Sequence, residues 1–190
     1  MKGEWCYFNK HFSDSQCDEI IRLAHGVPLE SAKMGAVGEI TESLYRKSNV
    51  RFLQKTDTRF TFLFDELWKL ALRANDDWFD FHLSKLDYIQ FSEYDSDYQG
   101  EYKKHHDVFY MNGDPKYHRK LTCVIQLSDP ETYEGGDFET YDISSTLDPK
   151  DIRGRGTVMF IPSFTPHAVT PVTSGVRYSL VAWIDGPKWK

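Results

Sequence analysis

The sequence predicts a mainly β domain, an antiparallel β-sandwich with supporting helices packed on one side. Three observations carry that expectation. Short segments near 85–93, 102–109, 119–127, 136–141, 156–161, 167–172 and 176–184 are rich in Val, Ile, Tyr, Phe and Thr, and clusters of Gly, Pro, Asp and Ser separate them. Strands of a sandwich or barrel have this composition and punctuation. Ahead of them runs one long stretch with helical rather than alternating periodicity. Finally, 190 residues suit one sizeable core but are short for two. We therefore expect a single domain over 1–190, with helical support in about 1–84 and the β core in about 85–187.

The elements follow in order. Glu4 to Lys10 has an apolar-aromatic pattern of a first strand. Ser13 then precedes a polar-apolar run through Ala24 that stops at Gly26, which reads as a capped helix. Val27 to Lys47 shows no sustained period and is a candidate lid over a site, while Ser48 to Leu53 alternates as a short strand. From Arg59 to Phe81 the apolar residues Phe60, Phe62, Leu63, Leu67, Leu70, Ala71, Ala74, Trp78 and Phe81 recur mostly three or four apart. That spacing marks one face of a long helix, fit to buttress a sheet. No repeat or linker-like shift divides the chain, so helices and strands read as layers of one fold.

The bulk numbers exclude several function classes. A net charge of -6 gives no general electrostatic footprint for nucleic acid or an anionic membrane surface. The first residues lack the apolar core of a signal peptide, and no apolar run approaches a membrane span, so a cytoplasmic location is expected. Cys6, Cys17 and Cys123 are odd in number and widely spaced, which indicates buried reduced thiols rather than disulfides or a zinc knuckle.

Chemistry concentrates in the second half. His105 and Asp107 lie two apart, so on a strand both point to one side while His106 points away. His167 falls where a strand meets a turn and supplies a third donor. Two imidazoles and one carboxylate occupy one face of an octahedron and leave open positions, the donor set of non-haem iron(II) oxygenases. Arg177 follows His167 by ten residues across Pro171, Thr173, Ser174 and Gly175, which read as a hairpin turn that returns the chain beside that ligand. Its planar fork suits a carboxylate held bidentately. Gly135 and Gly136 read as a tight turn, Trp183 as wall or core, and His106 and His118 as ordinary loop or surface histidines.

Together these motifs resemble the prolyl 4-hydroxylase-like branch of the 2-oxoglutarate/iron(II) dioxygenases, including bacterial and phage members. The matching residues run from Tyr94, Gly100 and Tyr102 through His105 and Asp107, the strand Leu121 to Leu127, and the turn Glu134 to Phe138, to His167, Gly175, Arg177, Ser179 and Trp183. The resemblance implies a double-stranded β-helix (jelly-roll or cupin-like) core, with Fe(2+) bound by His105, Asp107 and His167 and O2 as oxidant. It places 2-oxoglutarate on Arg177, with a hydroxyl contact from Ser179. Relatives often hold the co-substrate with a tyrosine where this chain has Gln126, and Tyr94 or Tyr102 are the candidates to replace it. Ascorbate is a candidate reductant, and no side chain beyond the metal ligands is assigned a catalytic role.

The implied reaction is hydroxylation of a C–H bond, of a prolyl residue in a peptide or protein by preference, with release of succinate and CO2. A free amino acid or small molecule is the alternative substrate, and a non-catalytic β-sandwich binding module is the alternative class. Nucleic acid is disfavoured, because repair demethylases resemble one another in a second arginine where this chain has Leu180 to Trp183. Arg46 and Lys47 read either as solvated loop charges or as groups that meet an acidic substrate.

Overall fold

The computed structural model describes residues 1–30, 45–110, 113–145 and 147–189. The candidate lid at Val27 to Lys47 lies mostly outside the described residues.

Cys6–Phe8 forms β1 and Asp14–His25 forms α1. Ser13 and Gln16 close a capping box at the helix start, each side chain accepting the other's backbone N–H, which satisfies donors that a helix start leaves open. Arg46–Lys47 is β2 and Asn49–Gln54 is β3. The long helix expected over 59–81 is an α-helix only at Thr61–Ala74, here α2, before it widens into a π-turn at Asn75–Phe79. Two of its expected core residues face solvent: Phe62 is 41% and Trp78 43% exposed. Phe62 lies about 100° around the helix from Leu63, so Phe64 takes the inward place. Trp78 follows Ala74 by four residues, a spacing that no longer stays on one face once the turn becomes π-helical.

Next come β4 (Tyr88–Asp95), β5 (Glu101–His105), β6 (Tyr117–Gln126), β7 (Tyr133–Gly135) and β8 (Phe138–Thr140). A short helix α3 (Pro149–Ile152) precedes β9 (Val158–Pro162), β10 (His167–Val169) and β11 (Val172–Pro187). One sheet runs β1-β9-β6-β11-β4-β3, with β7 also paired to β11; the other runs β2-β5-β10-β8. All ladders in both are antiparallel. The fold is a double-stranded β-helix, and the front of the chain contributes the edge strands β1, β2 and β3 as well as helices.

Side chains of the three central strands of the large sheet alternate between two cores. Ile89 and Phe91 of β4, Leu121, Cys123 and Ile125 of β6, and Leu180, Ala182 and Ile184 of β11 pack with Ile20 of α1 and Leu63, Leu67 and Ala71 of α2. The intervening residues, Tyr94 and Val124 among them, join Phe138 and Val169 of the small sheet in a second cluster. The period of two in strands thus assigns one face to the supporting helices and the other to the space between the sheets. Cys6, Cys17 and Cys123 are buried and free, as their spacing predicts.

The stretch from Pro171 to Gly175 is not a hairpin. β10 belongs to the small sheet and β11 to the large one, and the start of β11 pairs with β7. The corner's donors are taken elsewhere: Thr170 N–H donates to the Asp137 carbonyl and Val172 N–H to that of Gly100. Gly175 sits at φ +70°, and a Cβ there would run into the Thr132 carbonyl. Gly175→Ala is therefore expected to destabilise the fold by more than about 1 kcal/mol, read as a lowered Tm; an unchanged Tm would show that the corner can relax.

Candidate metal and co-substrate site

His105 and His167 are register partners across the β5–β10 ladder. Asp107, by contrast, lies beyond the end of β5, so strand alternation does not aim it. Its backbone N–H donates to the Ser163 carbonyl at 2.8 Å, and its Oδ2 accepts from the Thr122 hydroxyl at 2.7 Å. The ligand atoms of His105, Asp107 and His167 all lie within 4.8 Å of one another. His105 Nε2 is 3.8 Å from one Asp107 oxygen and His167 Nε2 is 3.5 Å from the other.

Each imidazole is held by its far nitrogen. His105 Nδ1 meets the Lys103 carbonyl at 2.8 Å and His167 Nδ1 meets that of Thr165 at 2.9 Å. A carbonyl only accepts, so Nδ1 carries the hydrogen in both rings and Nε2 is left with its lone pair toward the shared centre. Burial, reinforced by His167, pushes the His105 imidazole down to about 4, so it stays neutral at neutral pH. Burial also acts to raise the Asp107 carboxyl, but the two histidines, Arg119 and the Thr122 hydrogen bond outweigh it and hold it at about 2. The donor chemistry fits a divalent ion such as iron(II).

Thr122 was not legible as a functional residue, although it shares the inward face of β6 with Val124 and Gln126. Support of this kind beyond the ligands is typically worth 10- to 100-fold in metal affinity. Thr122→Val is expected to weaken metal binding by roughly that factor, measured by competition titration with a chelating dye.

Arg177, only 1% exposed, lies on the facing sheet rather than beside His167. One terminal nitrogen donates to Gln126 Oε1 at 2.9 Å, and the other lies 3.4 Å from Ser179 Oγ. Its guanidinium carbon stands 5.4 Å from the Tyr94 ring centroid, and its Nε has no partner among the described residues. No carboxylate pairs with it among the described residues. Gly136 makes room for this side chain, since a Cβ there would come within 2.9 Å of Arg177 Cδ.

Arg177, Ser179, Tyr94 and Tyr102 line one inner cavity with the three metal-ligand candidates, and Val124, Phe138, Val169 and Val181 supply its apolar wall. Gln126 reaches the same place through its bond to Arg177. Tyr102 instead stacks on His105, with ring centroids 3.5 Å apart, and burial pushes its hydroxyl up to about 12. Of the two tyrosines, Tyr94 is the one against Arg177.

Trp183 forms cavity wall, as expected. His118 does not match its expected loop position: it is buried within β6, where Nδ1 accepts the backbone N–H of Trp189. His106 stays outside the triad and lines an outer cleft. Arg119, which the sequence did not single out, enters the site with Nη1 3.9 Å from Asp107 and its guanidinium 3.8 Å from the Trp183 centroid.

Known proteins resemble this chain in sequence and in fold. Residues 89–185, about half of the chain, match the family model of the 2OG-Fe(II) oxygenase superfamily, and the chain belongs to that family. A PKHD-type hydroxylase of Aliarcobacter butzleri is 31% identical over 155 residues, covering 78% of this chain and 66% of that protein. The chain spans less of other relatives, 32% of one PKHD-type hydroxylase from Hyphomonas neptunium. A Pseudomonas putida prolyl-4-hydroxylase superposes with a TM-score of 0.71 at 16% identity, over 98% of this chain and 94% of that one. A Trichoplax adhaerens prolyl hydroxylase, solved with a hypoxia inducible factor peptide fragment, gives 0.72 at 15% identity over 96% and 83%. At those identities the superpositions establish the shared fold. No described helix is long and apolar enough to cross a membrane.

Proposed function

We propose that this chain is a 2-oxoglutarate- and iron(II)-dependent dioxygenase that hydroxylates a C–H bond, of a prolyl residue in a peptide or protein. The observation that carries the reading is Arg177: a buried guanidinium with no carboxylate partner among the described residues, facing three metal-ligand candidates across one cavity. A buried charge needs a counter-charge, and the far carboxylate of 2-oxoglutarate supplies one. Iron(II) with 2-oxoglutarate and O2 supplies the oxidising power that turns C–H into C–OH, with succinate and CO2 as the other products.

The chain's own residues bind and orient. His105 and His167 present Nε2, and Asp107 presents a carboxylate that Thr122 keeps from turning. Arg177, set by Gln126, receives the co-substrate's far end, with Ser179 and Tyr94 beside it. The apolar wall keeps water from the reacting atoms. The prolyl preference draws on the likeness to prolyl hydroxylases, one of them holding a peptide, and on an outer cleft of about 410 Å³ leading to His105 and Asp107. A binding module without turnover has no need of the triad and the arginine together.

Anaerobic protein loaded with iron(II) is expected to develop a saturable visible charge-transfer band on titration with 2-oxoglutarate. In air, with and without ascorbate, proline-containing peptides are expected to gain one oxygen atom with matching succinate. Iron bound but no band would end the co-substrate assignment; a band without peptide oxidation would move the substrate to a free amino acid or small molecule.

A further inference from the structure

The outer cleft carries two arginines, Arg46 and Arg119, and among its described lining residues Asp107 is the one carboxylate. Arg119 is already engaged. It lies between Trp183 and Phe109, at 3.8 and 5.1 Å from their centroids, bonds the Tyr88 hydroxyl at 2.8 Å and approaches Asp107.

Arg46 differs. β2 pairs with β5, and its two side chains part company: Lys47 meets Glu101 at 3.3 Å, while Arg46 turns over the Tyr102 ring at 4.7 Å. Among the described residues its hydrogen-bond partners are all neutral: Ser48 Oγ accepts from Nε at 2.6 Å, Gln90 Oε1 from Nη1 at 3.2 Å and Ser92 Oγ from Nη2 at 3.3 Å. Gln90 is itself fixed, donating to Ser92 Oγ at 2.7 Å. These contacts hold the guanidinium in place without cancelling its charge. An arginine has five N–H donors, so the described residues leave one on each terminal nitrogen unused. Both arginines raise the potential of this cleft in a chain whose net charge is -6, which concentrates anions locally.

We infer that Arg46 determines specificity by receiving a substrate carboxylate, the side chain of an aspartate or glutamate next to the residue being hydroxylated. The inference rests on the hydroxylase reading above and adds the chemistry of the substrate's flank. The Tyr102 ring contacts both Arg46 and His105. That places the guanidinium within about two or three residues' length of extended chain from the metal ligand. A side chain neighbouring the reacting residue reaches that distance. A guanidinium with its planar donors already oriented binds carboxylate in preference to an amide, through charge and paired geometry.

The test uses fluorescein-labelled peptides, blocked at both ends, with one proline flanked on either side by Glu, Gln or Lys. Binding to the iron(II)- and 2-oxoglutarate-loaded protein is followed anaerobically by anisotropy at two salt concentrations. Wild type is expected to bind a Glu peptide about tenfold or more tighter than its Gln counterpart, with the difference shrinking at high salt. Arg46→Gln is expected to bring the two within about twofold, and Arg46→Glu to reverse the order in favour of the Lys peptide. That reversal would also show that the altered cleft still folds and binds.

Equal affinity of wild type for Glu and Gln peptides overturns the inference. So does tight binding that appears only in a further Gln peptide made without the C-terminal block, which would make the terminus the recognised group. The visible band obtained without peptide reports separately on the hydroxylase reading: its absence removes that reading, whereas its presence with no Glu preference removes only the role of Arg46.

Discussion

Asp107→Ala is expected to abolish tight iron(II) binding and with it all 2-oxoglutarate-dependent succinate formation. Asp107 is the triad's only carboxylate, so its removal leaves two imidazoles near the Arg119 guanidinium. The loss should exceed the roughly 10- to 100-fold typical of an outer supporting group, and therefore exceed that of Thr122→Val. Metal content after dialysis and the 2-oxoglutarate band read the same step independently. An Ala variant that retains iron and turns over normally would remove Asp107 from the ligand set, whatever its position.

Arg177→Met should separate binding from stability. Truncating one partner of a buried charge pair commonly costs about 2–5 kcal/mol, so apparent affinity for 2-oxoglutarate is expected to fall by roughly 30- to several-thousand-fold. The fold without co-substrate should behave in the opposite way. It buries a guanidinium with no carboxylate among the described residues, and replacing such a charge with an apolar side chain of similar length is neutral or stabilising. Tm without 2-oxoglutarate is thus expected to hold or rise, while the increase in Tm that 2-oxoglutarate gives the wild type disappears. A lowered Tm with unaltered 2-oxoglutarate binding would make Arg177 a structural residue.

The capped helix from Ser13 to Gly26 and the β-rich second half were legible because local chemistry decides them: a capping box, and strand residues between turn formers. The three metal-ligand candidates and Arg177 were legible as residue types at spacings that a site requires. What escaped depends on tertiary partners. No local signal distinguishes a π-turn after Ala74 from one more α-turn, nor the sheet-switching corner after Val169 from a hairpin, because both contain the same turn residues. Thr122 and Arg119 join the candidate site only through their approach to Asp107. Arg46 looked like one of two loop charges, and only the pairing of β2 with β5 shows that Lys47 meets a carboxylate while Arg46 meets none among the described residues.

Since β4, β6 and β11 bear supporting residues on one side and site residues on the other, the chain tolerates different kinds of change unequally. Substitutions at one parity of β11, Arg177 through Trp183, can retune chemistry while Leu180 and Ala182 keep the helices docked. A single-residue deletion between Arg177 and Leu180 would put both on one face, turning either the leucine toward the cavity or the arginine toward the helices. The shift in register between β11 and β6 falls after Ile184, beyond the last site residue, Trp183. Natural variation in this strand should therefore consist of exchanges within Arg177 to Trp183, with changes in length confined to the irregular stretches at Val172–Ser174 and after Ile184.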